Sequence, residues 1–266
     1  MRFISIFIVF IVNSLTAGEI VTTSDFGRIE EESLKLEENC LVLFDVDATL
    51  IVPDDVILKP KGKALFKQLI ANCTDRDLFR DIRMKASHSL VDPKSVDLIQ
   101  KLSQQKIPVI AFTAAPAKIR GQAQPGDWRV EELKRHGFDF SQSLPSCHYL
   151  ELPKSQELNH IPLFKHGVLF SSLHSKGEIL IEFLHRLNLK PEKIIFVDDE
   201  FEFVRSVVSC LDKEGIPCLG FHYTAANDTP CELYPEQARF QVDHFINHEI
   251  WLSDNECRTE VNKCIR

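Results

Sequence analysis

Leu41-Val42-Leu43-Phe44-Asp45-Val46-Asp47-Ala48-Thr49-Leu50 is an apolar run that stops abruptly at two carboxylates, Asp45 and Asp47, spaced i, i+2. The run is too short for a free-standing helix, and its Val and Leu content suits a strand buried in a parallel sheet. In an open α/β sheet, ligands bind at the carboxyl ends of strands, which is where these two aspartates fall. Carboxylates that close repel each other, and a bound cation or a shared proton offsets the repulsion. Mg²⁺ takes one or two carboxylates and fills its other positions with water or phosphate oxygens. A strand end with two solvated aspartates, or one aspartate gripping a ribose, fits the same residues. What ends the other strands decides among these.

Further along, Ile107–Phe112 is a second apolar run, and it ends at Thr113-Ala114-Ala115-Pro116. A hydroxyl beside small residues can approach an anion through side chain and backbone N–H alike; Thr113 also suits the cap of a following helix. Residues 167–171 predict a third strand. Lys176-Gly177 then opens a helix over Glu178–Leu187 with apolar residues on one face. A lysine at a helix N-terminus opposes the helix dipole, so an anion is expected beside it. Ile194–Val197 predicts a fourth strand that ends in Asp198-Asp199-Glu200, again a cation-binding pattern. Gly215–Phe221 predicts a fifth. Strands alternating with helices argue for an α/β fold, a doubly wound (Rossmann-like) sheet of five parallel strands.

A chain of 266 residues suits one such domain with small insertions. Its net charge of −8 and lack of a Lys/Arg block make it a poor candidate for a general nucleic-acid binder and leave room only for a local basic pocket. Residues 1–17 read as a signal peptide: Arg2 is the charged start, and Phe3–Val12 is an apolar run too short to span a bilayer. The expected mature protein, 18–266, is therefore exported, periplasmic or secreted, without stable membrane insertion. Eight cysteines would meet an oxidising compartment. Cys257 and Cys264, near the polar C-terminus, are the expected bridge, and with no Cys-x-x-Cys pair a structural zinc site is not expected.

Between the predicted elements, Glu19–Thr23 reads as an extended entry, followed by a helix capped by Ser24-Asp25. Ile51–Asp55 reads as a flap over the site. Segments 56–92 and 122–165 are the candidate cap insertions, the first with charge-rich helices that read as a solvated face, the second irregular over 139–165. The tail from Ala238 carries only a mixed helical pattern. Among the scattered histidines His174 stands out, two residues before Lys176. Trp128 and Tyr149 are candidates for stacking on an aromatic leaving group, although such residues more often belong to the core.

Asp45-Val46-Asp47-Ala48-Thr49, Thr113 after a strand, Lys176 at a helix start and Asp198-Asp199 after a later strand resemble, in order and spacing, the four motifs of the haloacid dehalogenase-like (HAD) superfamily. The likeness spans roughly residues 40–222. More narrowly, the signal-like start, the run Gly167-Val168-Leu169-Phe170-Ser171-Ser172 and the Lys176-Gly177-Glu178 helix start resemble the exported bacterial DUF2608 family. The HAD resemblance implies that Asp45 is the nucleophile that becomes an aspartyl-phosphate. It implies that Asp47 is first general acid and then general base. Thr113, the neighbouring Ala114 and Lys176 would hold the phosphoryl oxygens. Mg²⁺ would be held by Asp45, the Asp47 carbonyl and the fourth motif, with Asp199 the direct ligand and Asp198 beside it. One departure is visible: Ala48 stands where the family often has Asn or Gly.

The expectation is therefore an exported Mg²⁺-dependent phosphatase that acts on a small phosphorylated substrate, a phosphate monoester. Two alternatives remain open. One is a binding or effector protein that kept the sheet without the chemistry; the other is phosphoryl transfer to an acceptor other than water.

Overall fold

The apolar runs that end at Asp45, Thr113 and Asp198 form neighbouring strands. A computed structural model describes residues 18–75, 77–228 and 232–264; the expected signal peptide, 1–17, lies outside the described residues. The strands in chain order are β1 (Glu19–Thr23), β2 (Cys40–Phe44), β3 (Ile51–Pro53), β4 (His88–Leu90) and β5 (Val109–Thr113). They continue with β6 (Tyr149–Glu151), β7 (Leu163–Lys165), β8 (Val168–Phe170), β9 (Lys193–Asp198) and β10 (Cys218–Tyr223). The helices are α1 (Phe26–Leu34), α2 (Lys63–Leu69), α3 (Leu78–Lys85), α4 (Lys94–Gln104) and α5 (Asp127–Arg135). After them come α6 (Lys176–Arg186), α7 (Phe201–Lys213), the short α8 (Ala225–Asp228), α9 (Pro235–His248) and α10 (Asp254–Cys264).

The main sheet has eight strands in the order β1-β10-β9-β2-β5-β8-β7-β6. The five expected strands are its contiguous centre and run parallel. The sheet is nevertheless larger than the expected five. The entry segment pairs parallel to β10 as β1. Part of the segment expected to be irregular supplies β6 and β7, which run antiparallel beside β8. These three additions are strands of three to five residues whose pairing partners are remote or whose alternation is weak, so periodicity does not mark them.

Alternation along β2 explains why the sheet is covered twice. Val42 and Phe44 join a core with Phe26 and Ile29 of α1, Leu98 and Leu102 of α4, and Leu133 of α5. Leu41 and Leu43 join the opposite core with Leu180 and Phe183 of α6 and Val204 and Val207 of α7. Helices on both faces of a mostly parallel sheet make the fold a two-sided α/β layer structure. Chain order reverses on either side of β2: β5 and β8 follow on one side, β9 and β10 on the other. The crevice between the carboxyl ends of β2 and β9 is thus the topological switch point, where such sheets bind ligands.

Of the two segments expected as caps, 122–165 lies within the main layers, through α5, β6 and β7. Segment 56–92 builds a separate helical unit. Ile57, Phe66, Leu78 and Ile82 share a third core with Val242 and Phe245 of α9 and with Trp251, so the tail is half of that unit. Antiparallel pairing of β3 with β4 forms its base. Buried Asp55 ties the halves together, accepting from Trp251 Nε1 and from the Asp254 N–H, both at 2.7 Å.

The expected Cys257–Cys264 bridge is not formed. Both residues sit on α10, seven positions apart, which is about 10 Å along a helix and beyond disulfide reach; Cys257 is a buried free thiol. Among the described residues no helix is long and apolar enough to cross a membrane.

Candidate active site

Lys176 is the first residue of α6 and fully buried. Its neighbour allows that position: a Cβ on Gly177 would sit 2.4 Å from the Ser206 carbonyl oxygen of α7, so only glycine lets the two helices approach this closely. The ammonium has three protons and gives all of them to oxygens: Asp45 Oδ1 at 2.5 Å, Asp198 Oδ2 at 2.7 Å and the Phe112 carbonyl at 2.7 Å. Rings of Phe203, Phe112 and Phe196 lie 5.0–5.5 Å from Nζ, within cation–π range. The anion expected beside a lysine at this helix end is present twice over. Burial works to lower the lysine's pKa, but Asp198 and Asp45 outweigh it and hold the group above its ordinary value.

β2 and β9 deliver the acids. The Asp45 N–H donates to Val197 O at 2.8 Å, so the two strand ends are locked together. Asp45, Asp198 and Asp199 each offer an oxygen, and those atoms lie within 4.8 Å of one another. Asp198 is committed to Lys176 and accepts the Glu200 N–H at 2.9 Å. No hydrogen bond or ion pair reaches the Asp199 carboxylate among the described residues. Burial pushes Asp45 up to about 7, against the pull of Lys176, with the charges of Asp198 and Asp47 adding to the rise. Burial also pushes Asp199 up to about 9, aided by Asp45 and Asp198. Two of the three acids share one lysine and the third has none, and the negative charge they carry once ionised is what a divalent cation neutralises. The donor set fits Mg²⁺: clustered carboxylate oxygens, one acid uncommitted and no nitrogen or sulfur ligand.

Asp47 is held quite differently. Its Oδ1 accepts from Arg83 Nη2 at 2.8 Å, and its Oδ2 from Arg129 Nη2 at 2.7 Å. Burial works to raise its pKa, but Arg129 and Arg83 outweigh it and hold the carboxyl down at about 2. Arg129 also donates to buried Glu132 at 2.5 Å and lies 4.3 Å from the Trp128 ring centre. Glu132 in turn sits 3.7 Å from His88 Nδ1, and burial lowers the pKa of that histidine.

None of Arg83, Arg129, Glu132 and His88 stood out in the sequence. Arg83 belongs to a charge-rich helix that reads as solvent-facing. The one usable signal was in α5, where Arg129 and Glu132 share the buried side of the helix with Trp128 and Leu133.

Thr113 and Ala114 sit where β5 ends. The buried Thr113 hydroxyl accepts the Ala115 N–H at 3.1 Å, which closes a local turn, and its own proton is left to donate. The next helix is α5, capped by Gly126, so Thr113 is not the helix cap it also suited. Ala114 O accepts from Leu173 N at 3.0 Å. His174 serves the same loop. Its Nδ1 lies 3.0 Å from the carbonyls of Ser171 and Ser172, and its Nε2 accepts from Ser155 N at 3.1 Å. Both ring nitrogens are thus used to shape the turn before Lys176. Trp128 is core, its Nε1 bound to Ala117 O, while Tyr149 is exposed on edge strand β6.

The family described as "Protein of unknown function (DUF2608)" matches residues 22–258. The chain belongs to the DUF2608 family. Among its relatives, an uncharacterized protein of Rickettsia prowazekii is 22% identical over 255 residues, 92% of each chain. A Chlamydia trachomatis protein is 27% identical over 252 residues, 88% of this chain and 90% of its own, and bears the name "Putative outer membrane protein". A Chlamydia pneumoniae relative with a similar name is 23% identical over 217 residues, 78% of each chain. No solved structure matches the chain.

Proposed function

We propose that this DUF2608 protein is a Mg²⁺-dependent phosphohydrolase of the HAD type, acting on phosphate monoesters at the bacterial envelope. The observation that carries this reading is the bridge from Lys176 to both Asp45 and Asp198 at the switch point, with Asp199 uncommitted beside it. Phosphoryl transfer asks mainly for positioning and charge neutralisation, and those groups supply both. Asp45 attacks phosphorus, forming an aspartyl-phosphate as the bond to the leaving oxygen breaks. The Thr113 hydroxyl binds a phosphoryl oxygen, with the Ala114 N–H beside it, and Lys176, held against Asp45 and Asp198, supplies the positive charge that offsets charge gathering on the phosphoryl group. Asp45, Asp199, Asp198 and the Asp47 carbonyl would hold Mg²⁺, which supplies further charge neutralisation when bound. Asp47 gives a proton to the leaving oxygen and then takes one from the water that attacks the intermediate. Envelope placement draws on the expected signal peptide and on the names of the chlamydial relatives.

One observation favours the binding-protein alternative. With two arginines on it, Asp47 is a carboxylate at neutral pH with little affinity for a proton, so it neither donates one nor readily takes one. Donation requires the arginines to let go. Hydrolysis of an aryl phosphate by residues 18–266, with and without Mg²⁺ and beside Asp45→Asn, separates the two. Metal-dependent turnover that falls by about a thousandfold or more in Asp45→Asn is the expected result, since losing a nucleophile removes the covalent step. Equal inertness of both proteins across a broad ester panel, with Mg²⁺ still bound, would transfer the case to the binding reading.

A further inference from the structure

Two guanidinium groups converge on the single Asp47 carboxylate, one on each oxygen, and they come from different parts of the fold. Arg83 belongs to α3 in the helical unit over the sheet, and Arg129 to α5 in the main layers. The Arg129 side chain is 4% exposed, and its buried Nε has no hydrogen-bond partner. Arg83 and Asp47 retain 20% and 28% exposure, so solvent reaches the cluster at their end.

Stability does not explain this arrangement. Desolvation of buried charges offsets most of their attraction, and an apolar seam would join the two units as well. What two arginine forks supply is planar, charge-assisted recognition of a carboxylate or phosphate.

We propose that Arg83 and Arg129 recognise a second anionic group, a carboxylate or phosphate, on the leaving-group side of the substrate, and that Asp47 stands in for it in the free protein. The leaving-group assignment rests on the phosphohydrolase reading, because Asp47 is the group meant to reach the leaving oxygen. When Asp47 turns to that oxygen, Arg83 loses its counter-ion and Arg129 keeps only buried Glu132, so the pair is left with net positive charge. An anion carried by the substrate takes the place of Asp47. This makes the pair specificity-determining, and it links the position of the helical unit to the identity of the ligand.

Binding of three inert probes to residues 18–266 in Mg²⁺, by calorimetry, tests the proposal: ethylphosphonate with one anionic group, 3-phosphonopropionate with an added carboxylate, and 1,2-ethylenediphosphonate with an added phosphonate. At least one doubly anionic probe is expected to bind about tenfold more tightly than ethylphosphonate, as suits an added charge-assisted contact, and which one does identifies the second group. Arg83→Met and Arg129→Met should each erase most of that preference, and Arg83→Lys should restore part of it. Should Arg129→Met fail to fold, the Arg83 pair carries the test alone.

Equal affinity for all three probes, or a preference untouched by Arg83→Met, overturns the proposal. The aryl phosphate assay keeps the two readings apart. Turnover without probe preference leaves the phosphohydrolase and removes the anion site. An Arg83-dependent preference without turnover keeps the anion site and removes the phosphohydrolase.

Discussion

Asp45 and Asp47 lie two residues apart at the end of one strand, yet the protein gives them opposite proton affinities. Asp45 is pushed up to about 7 and Asp47 held down at about 2. Burial acts upward on both, so it does not distinguish them. The difference is in the cations. Asp45 shares one lysine with Asp198 and has Asp199 close by, three acids to one base. Asp47 has two arginines on it, one of them shared with Glu132. The first arrangement is short of positive charge and invites a metal ion. The second is self-sufficient and invites only an exchange of one anion for another. The pair shows that spacing along a strand end does not set a carboxylate's chemistry; the elements that fold over it do.

The largest effect should come from removing the single cation of the first cluster. Lys176→Met leaves Asp45 and Asp198 buried beside each other without a counter-charge. Breaking a buried pair in this way costs about 3–5 kcal/mol, read as a lower urea midpoint at pH 8. At pH 5 the loss should be smaller, because the two carboxyls can take up protons instead. An equal loss at both pH values would mean that packing of the long side chain among its phenylalanines matters more than its charge.

A smaller effect, but one that separates the two carboxylates directly, lies in the pH dependence of stability with divalent metal chelated. Between its folded value near 2 and the unfolded value of about 4, Asp47 is ionised only in the folded state, so stability rises with pH and is lost as pH falls through that window. Asp45 and Asp199 work in the other direction. From about pH 4 up to about 7 for Asp45 and about 9 for Asp199, the folded state holds protons that the unfolded state has released, so stability falls as pH rises. Thermal unfolding across this range should give both limbs. Asp47→Asn should flatten the acid limb, and Asp199→Asn the part between pH 7 and 9. Mg²⁺, by binding the ionised acids, should raise the melting temperature more at pH 8.5 than at pH 6.

What the sequence revealed and what it hid follows from distance along the chain. The five central strands are short apolar runs, so their existence could be read locally; the meeting of Asp45, Lys176 and Asp198 could not, with Lys176 131 residues from Asp45, and only the resemblance of the motifs implied it. The helical unit could not, because its core joins Phe66 to Phe245 and its tie joins Asp55 to Trp251, partners 196 residues apart. Nothing in a mixed helical tail announces a surface that distant. The arginine clamp was hidden for a related reason. A charged residue on a charged helix reads as solvent-facing, and only folding of the helical unit over the sheet turns Arg83 into a partner of Asp47. β6 and β7, three residues each, are too short for alternation to register.

The smallest predicted effect sits between the two carboxylates. Ala48, already conspicuous as a departure from the resembled motif, has φ of +65°, the left-handed region that a Cβ disfavours by about 1–2 kcal/mol. The turn is fixed by its backbone, since Ala48 N donates to Ile51 O at 2.7 Å and Leu50 N and Ile51 N both donate to Val46 O at 3.0 Å. An alanine here is strained in a turn that holds it in place. Ala48→Gly relieves the strain and gives back about 0.4–1 kcal/mol through the freer unfolded chain, for a net gain of about 0.5–1 kcal/mol. The same change loosens the link that sets Asp47 relative to Asp45. If the two clusters act independently, Ala48→Gly should raise stability and leave the pH limbs of Asp45 and Asp47 where they are. A shift of both limbs together would mean that the strained turn couples them, and that the contrast between the two aspartates is held in the backbone as well as in the cations around them.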